Sequence, residues 1–235
     1  MKQYLIILCL LYIQVASLAQ NNTGIADDFK YLAMHNMNVN TSTITSFNNN
    51  QIKGSQYLFE DWTSGSVTTT ENITYSNKYL FNYDKVKQNL YLKYTEQAGL
   101  IILLDKSIIK TFTISNRIYR NATSVDPALK QSFYEILVAD SNICLYKSTL
   151  TKFIKADPTN IMNVQTGNFA SEFIDDVTYF VTLIGGAMKK INFSKTSIKK
   201  LLIDKSDKVD SYFNNHLESE IDEPFLIDMI HFLNK

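Results

Sequence analysis

Residues 79–114 constrain the fold of this chain most strongly, because short apolar runs alternate there with polar turns. The apolar and aromatic runs lie at 79–83, 90–94, 100–104 and 108–114. Runs of this length and spacing predict antiparallel strands, and their aromatic and β-branched residues suit a pleated, half-buried surface. We therefore predict an α+β fold. Its main part is an antiparallel β meander (a curled, sandwich or barrel-like sheet) that short C-terminal helices close.

Further strand-like runs flank this stretch on both sides. They lie at 63–70, 117–120, 133–138, 143–146 and 178–184. Gly185-Gly186 predicts a two-residue hairpin turn, after which residues 187–193 form the returning strand. Residues 147–176 read as an excursion from the sheet, where a binding site could be grafted.

From Ser194 onward the apolar period changes from two residues to about 3.6, which predicts helices. Ser197, Ser206 and Asp222 are the expected helix starts, and Pro224 suits a first helical turn. The sequence thus divides a β domain at 54–193 from a helical segment at 194–235, which we expect to pack on the sheet.

The first 19 residues have the three parts of a secretory signal peptide. Lys2 is the positive start, residues 4–15 are apolar, and Ser17 and Ala19 are the small residues before a cut at Gln20. Residues 20–53 follow as an Asn/Thr-rich lead-in or linker. We expect export to the periplasm, outer envelope or exterior, and no transmembrane segment after cleavage because no later apolar run is long enough.

Charge and cysteine content exclude several classes of function. Lys plus Arg and Asp plus Glu are both 23, so no overall field favours nucleic acid. Cys144 would be the only cysteine left after cleavage, and its apolar neighbours predict a small core residue. The three histidines, His35, His216 and His231, have no spacing typical of a metal site. We predict no metal and no cofactor.

Three further residues could take part in ligand binding: Trp62, Arg117 and Arg120. Trp62, the only tryptophan, is expected to plug the core, with a ligand-stacking platform as the alternative. The two arginines are expected to cover a sheet edge, with a grip on an anion as the alternative.

Several short motifs resemble one family of exported bacterial proteins. They are Gly54-Ser55-x-Tyr57-Leu58, Asp61-Trp62 before Gly65-x-Val67, and Leu80-Phe81-Asn82-Tyr83-Asp84. The chain resembles a family of uncharacterised exported bacterial β-sheet proteins with a Lys-rich C-terminal helical tail. The resemblance covers most of residues 54–235 and implies export and a β-sheet fold, but no activity and no site residue.

No motif for catalysis is present, so we predict that the protein is not an enzyme and has no catalytic residues. Gly-x-Ser-x-Gly is missing from the sequence, and Ser-x-x-Lys occurs at Ser107 and Ser197 without the Ser-Asp-Asn and Lys-Thr-Gly motifs that accompany it in penicillin-binding proteins. A hydrolase with an unrecognised site is the least favoured alternative.

Two non-enzymatic functions remain open. The first is a structural or interaction part of the envelope that docks another envelope protein through its C-terminal helices, and it predicts exposed Phe225, Met229 and Leu233. The alternative is a binding module for an apolar or glycan ligand. It predicts an open cavity lined by Tyr79, Tyr83, Tyr91 or Tyr94. The identity of a small-molecule ligand is left open.

Overall fold

A ten-stranded antiparallel sheet with three short helices forms the body of the protein, which confirms the predicted α+β class. The structure, a computed structural model, describes residues 52–95, 101–122, 132–161, 164–168, 170–184 and 186–235. All of these belong to one compact unit. The predicted signal peptide and the lead-in up to residue 51 lie outside the described residues, as does His35.

The described strands match the predicted apolar runs closely, and several extend beyond them. They are β1 (Thr63–Thr69), β2 (Thr74–Asp84), β3 (Asn89–Tyr94), β4 (Ile101–Leu103), β5 (Ile109–Ile114), β6 (Arg117–Asn121), β7 (Phe133–Val138), β8 (Ile143–Ile154), β9 (Asp157–Ile161), β10 (Val164–Asn168), β11 (Glu172–Leu183) and β12 (Lys189–Ile191). The helices are α1 (Lys195–Leu201), α2 (Ser206–Asn215) and α3 (Glu223–Asn234). Two 3₁₀ turns lie at Lys106–Ile108 and Ile203–Lys205.

The strand order departs from a simple meander. It runs β12-β11-β8-β7-β6-β5-β1-β2-β3-β4, so β5 does not pair with β4 but returns beside β1. Likewise β11 pairs with β8. The two strands that lie between them in the sequence, β9 and β10, form a separate two-stranded sheet. The predicted excursion at 147–176 is therefore in large part regular strand.

The sheet curls so strongly that distant strands touch. β2 and β11 are six strands apart in the order, which in a flat sheet would separate them by about 29 Å. Yet Lys85, which follows β2, places its Nζ 2.8 Å from Oδ2 of Asp175 on β11.

Residues 52–57 bridge the gap between these two parts of the sheet. The backbone N–H of Lys53 donates to the carbonyl of Ser171, and its carbonyl accepts from Phe173 N–H. Three residues later, Gln56 accepts from the backbone N–H of Lys85 at 2.7 Å. The chain thus joins β11 to the end of β2 before the first strand of the sheet begins.

One side of the sheet, which we call the helix face, carries the main core. In its centre Phe112, Tyr83, Tyr119 and Phe133 pack ring against ring, and Phe112 stacks on Tyr119 at 4.7 Å. Beside them the three helices cover the residues of β7, β8, β11 and β12 that share this face. This second cluster comprises fifteen buried residues, among them Leu145, Val181, Met229 and Ile230.

The opposite side, which we call the open face, holds a small cluster of its own. Tyr134, Tyr146 and Ala122 are buried there, with Phe180 and Cys144 packed against them. The ring of Tyr134 meets Phe180 edge-on at 5.4 Å. This cluster stiffens the floor of a depression described below.

Local signals explain two of the helix boundaries, and one predicted start is wrong. The carboxylate of Asp222 accepts from Phe225 N–H at 2.9 Å, which confirms the predicted start of α3. α1 begins three residues earlier than predicted, because Ser194 Oγ accepts from Ser197 N–H and so occupies the capping position. Ser206 begins α2 as expected, although no side chain caps it.

The predicted two-residue turn at Gly185-Gly186 is also wrong. β11 ends at Leu183 and β12 begins only at Lys189, and the two pair over just three residues. Val181 pairs with Lys189, which leaves too many residues between the two strands for a two-residue turn. At its other end, β11 begins at Glu172, seven residues before the first residue that pairs with β12.

Candidate functional site

The largest concentration of exposed apolar side chains lies where β8 and β11 run past their neighbours. We call residues 148–154 of β8 and 172–178 of β11 the ribbon. The two segments pair without interruption from Ser148 opposite Thr178 to Ile154 opposite Glu172. β7 pairs with β8 only as far as Lys147, so the ribbon continues past its pairing with β7.

Five large apolar residues of the ribbon are 36–46% exposed. They are Leu150, Phe153, Ile154, Ile174 and Val177. Because side chains alternate along a strand, Phe153 and Val177 lie on the helix face and the other three on the open face. The rings of Phe153 and Phe173 pack together at 4.9 Å, which presents a compact aromatic pair at the tip.

One edge of the ribbon is also open. Lys53 pairs with the start of β11, and β12 pairs with its last part, from Tyr179 onward. Within the part of the chain that the structure describes, no strand pairs with the outer edge of residues 174–178. An open edge exposes unpaired backbone N–H and C=O groups, which can accept another strand.

Among the described residues, one ion pair joins the ribbon to the end of β2, in addition to the backbone hydrogen bond between Phe173 and Lys53. Asp175 binds Lys85, and its Oδ1 also accepts from the Thr151 hydroxyl at 2.5 Å. Burial alone would raise the pKa of Asp175, but the hydrogen bonds from Lys85 and Thr151 lower it below its ordinary value of 3.8. The negative form of this carboxylate therefore holds the middle of the ribbon against the end of β2.

A network of charges crosses the helix face between the two cores. Arg117 donates to both oxygens of Glu135, from Nε at 2.7 Å and from Nη2 at 2.5 Å. Two strands further, Glu223 of α3 accepts from Lys147 at 2.7 Å and from the Tyr179 hydroxyl at 2.5 Å. Every charge in the network has a partner, so it anchors the first turn of α3 to the sheet.

The pKa shifts in this network have the sign expected for pairing. Burial alone would raise the pKa of Glu223, but the hydrogen bonds from Lys147 and Tyr179 lower it below its ordinary value of 4.5. Burial and the nearby Glu223 carboxylate raise the pKa of Tyr179. Tyr179 therefore stays protonated and donates. No group of the network is left over as a base or nucleophile.

The two arginines do not cover a sheet edge, because β6 lies between β5 and β7. That prediction is wrong, since strand order cannot be read from the sequence around β6. Arg117 belongs to the charge network, whereas Arg120 points to the open face, where its Nη1 lies 3.1 Å from the Tyr146 hydroxyl.

The tyrosines predicted to line a cavity serve as core residues instead. Tyr79, Tyr83 and Tyr94 are at most 9% exposed, and Tyr91 is half-buried. Tyr79 and Tyr94 lie ring to ring at 5.6 Å. None of the four lines the depressions beside Leu202, Arg120 and Asn192.

The helical tail does not present the predicted apolar surface. Phe225, Met229 and Leu233 are at most 6% exposed, because α3 lies on β7 and β8. Its last residue, Asn234, exchanges two hydrogen bonds of 3.0 Å with the backbone of Ile143. The expectation that these residues are exposed is therefore wrong.

Two further residues are less buried than predicted. Trp62 is half-buried just before β1, with Lys93 Nζ 6.0 Å from its ring centre. Cys144 is half-buried on the open face, and its thiol donates to the carbonyl of Asp140 at 3.0 Å. His216 stacks on Tyr212 at 4.1 Å, while His231 is exposed.

Among the described residues, no three His, Cys, Asp or Glu side chains converge as metal ligands. In the same residues, no helix combines the length and the apolar character that crossing a membrane requires.

Comparison with known proteins gives no match to a family model, to a curated protein or to a solved structure.

Proposed function

We propose that this chain is an exported, non-enzymatic interaction protein of the cell envelope, and that the ribbon is the surface through which it holds its partner. The observation that carries the proposal is the exposed apolar ribbon with its open edge. Large exposed apolar patches mark interaction sites in proteins that otherwise bury such residues. Export rests on the signal peptide pattern of the sequence.

The ribbon suits strand addition, in which an extended segment of the partner pairs with the open edge. Backbone hydrogen bonds provide affinity in this mode, and alternate side chains provide specificity. A partner strand beside residues 174–178 would contact Ile174 on one face and Val177 on the other. The aromatic pair at the tip would cover the end of that strand.

A second copy of the same chain fits this edge poorly. Asp176 lies in the middle of the open segment, so antiparallel pairing of two copies about this residue would bring two carboxylates opposite each other. Such pairs are destabilising in sheets, and acidic residues at an edge discourage self-association. The partner is therefore a different protein, whose strand carries neutral or basic residues.

The test is crosslinking in the organism that makes the protein. A photoreactive amino acid replaces Phe153 in one strain and Leu217 in another; Leu217 is 74% exposed and lies far along the chain in the tail. After exposure to ultraviolet light, the protein with the photoreactive group at position 153 should be crosslinked to one discrete partner. The protein with the group at position 217 should give no such product.

A charge variant gives the matched control. Ile174→Asp, tested with the photoreactive group at Phe153, should reduce the product at least about tenfold, because it buries a carboxylate in the interface. Leu217→Asp places the same charge outside the ribbon and should leave the product unchanged. Both positions are exposed, so each substitution should change the free energy of unfolding by only about 0.5 kcal/mol. The proposal would be contradicted if the amount of crosslinked product were the same with Ile174→Asp as without it.

A further inference from the structure

We infer that a depression beside Arg120 on the open face binds a small, singly charged carboxylate that also carries hydroxyl groups, such as a sugar acid. The depression lies at one end of the sheet, between the turn that joins β7 to β8 and the connection from β11 to β12. It is separate from the ribbon, and the inference does not depend on the proposed function.

Arg120 supplies the group that would recognise a carboxylate. Its only hydrogen-bond partner in the described residues is the Tyr146 hydroxyl, and no described carboxylate forms an ion pair with it. Arg117, three residues earlier, differs because it donates hydrogen bonds to both carboxylate oxygens of Glu135. A half-buried guanidinium keeps several unused N–H donors in a planar fork, which matches the two oxygens of a carboxylate.

Two hydroxyl groups and one thiol form the floor of the depression next to this fork. Tyr146, Thr182 and Cys144 lie side by side there, since Thr182 pairs with Cys144 across β11 and β8. Burial is the main cause that raises the pKa of Tyr146, so its hydroxyl stays protonated. Beneath it, the buried ring of Tyr134 packs against the half-buried ring of Phe180 and supports the floor.

The rim explains the preference for one negative charge and for hydroxyl groups. Asp140 lies on the rim, where its carboxylate accepts from the Asn142 backbone N–H at 2.9 Å. Its negative charge would repel a doubly charged anion such as phosphate more strongly than a single carboxylate. The Ser141 hydroxyl and the Asn142 side chain add polar groups that can bind the hydroxyls of a ligand.

Size limits the ligand further. The depression has a volume of about 250 Å³, just below the range of about 300–1,000 Å³ that is typical for drug-sized ligands. A single sugar acid or a smaller hydroxy acid fits this volume. An affinity on the order of 1 mM is expected for a ligand of this size.

Nuclear magnetic resonance titration tests the inference with four named probes: glucuronate, glucose, acetate and inorganic phosphate. Glucuronate should shift the backbone amides of Tyr146 and Thr182 and should bind most tightly. Glucose lacks the carboxylate, acetate lacks the hydroxyls and phosphate carries more charge. Each of these three should bind at least about tenfold more weakly.

Variants separate the arginine fork from general electrostatics. Arg120→Gln should weaken glucuronate binding roughly ten- to hundredfold. Arg120→Lys keeps the charge but loses the fork, and it should also weaken binding. Lys200→Gln removes one charge from an exposed position on α1 and should have no effect.

A thiol measurement on the unmodified protein guards against variants that fail to fold. Bound glucuronate should slow the alkylation of Cys144, measured by mass spectrometry on the peptide that contains it, while glucose should not. The inference is overturned if glucuronate gives no saturable shift, if glucose binds equally well, if Arg120→Gln binds like the wild type, or if Cys144 is not protected.

Discussion

Replacing Met229 with alanine tests whether the helical tail is part of the core. Met229 lies on α3, is 0% exposed and belongs to the cluster between the helices and the sheet. The change removes three non-hydrogen groups, whose transfer from water contributes about 2.4 kcal/mol at about 0.8 kcal/mol each. The cavity left behind adds to this cost. We therefore expect a loss of about 3–4 kcal/mol in the free energy of unfolding.

Urea denaturation followed by circular dichroism measures this loss. For a domain of this size, about 3–4 kcal/mol corresponds to a fall in melting temperature of about 6–16 °C. The control is Ile203→Ala, because Ile203 is 67% exposed at the 3₁₀ turn before α2. That change should stay within about 0.5 kcal/mol.

The result that would refute the reasoning is a Met229→Ala variant with the denaturation midpoint of the wild type. It would mean that α3 does not stabilise the sheet and that the tail can leave it at little cost. A separate early transition, seen only in the variant and only for the helices, would refute a single cooperative core in the same way.

Two further predictions concern acid stability and one glycine. The pKa values of Asp175 and Glu223 are lowered in the fold, so both carboxylates stabilise it above their ordinary values of 3.8 and 4.5. Urea titrations at several pH values should show the free energy of unfolding falling as the pH decreases below these ordinary values toward the lower pKa values of the folded protein. Gly65→Ala should cost at least about 2–3 kcal/mol, measured by thermal denaturation, because a Cβ at Gly65 would lie 2.1 Å from the Thr113 carbonyl oxygen.

Matched variants check both predictions. The double variant Asp175→Asn/Glu223→Gln should show a flatter dependence of stability on pH, and an unchanged slope would contradict the assignment. Ser64→Ala, at the exposed neighbouring position on β1, should leave the melting temperature almost unchanged. If Gly65→Ala had the same melting temperature as Ser64→Ala, the close approach of β1 and β5 would be contradicted.

Most strands could be predicted from the sequence, because their signal is local. The alternation in 90–94 and 109–114 reports directly which side chains are buried. The cap of α3 is equally local, since Asp222 and Phe225 lie within one helical turn. Ser197 failed as a helix start because Ser194 offers the same hydroxyl one turn earlier, and the sequence alone does not choose between them.

The candidate surfaces could not be predicted in the same way. Val177 and Val181 have the same residue type and face the same side of β11, but only Val181 is buried. The difference arises because β12 and the helices cover one half of β11 and leave the other half bare. The sequence placed residues 147–176 outside the sheet, and nothing local in residues 148–154 or 172–178 indicates that their apolar side chains are exposed.

By itself the sequence determined the fold class, the antiparallel strands, the closing helices and the pattern that predicts export, because each depends on residues close together in the chain. Tertiary structure decided the strand order, the curl that brings Lys85 to Asp175, and the burial of Met229. It also decided that Arg117 is paired whereas Arg120 faces an open depression. These features depend on contacts between residues far apart in the chain, and local propensity carries no information about which distant segments meet.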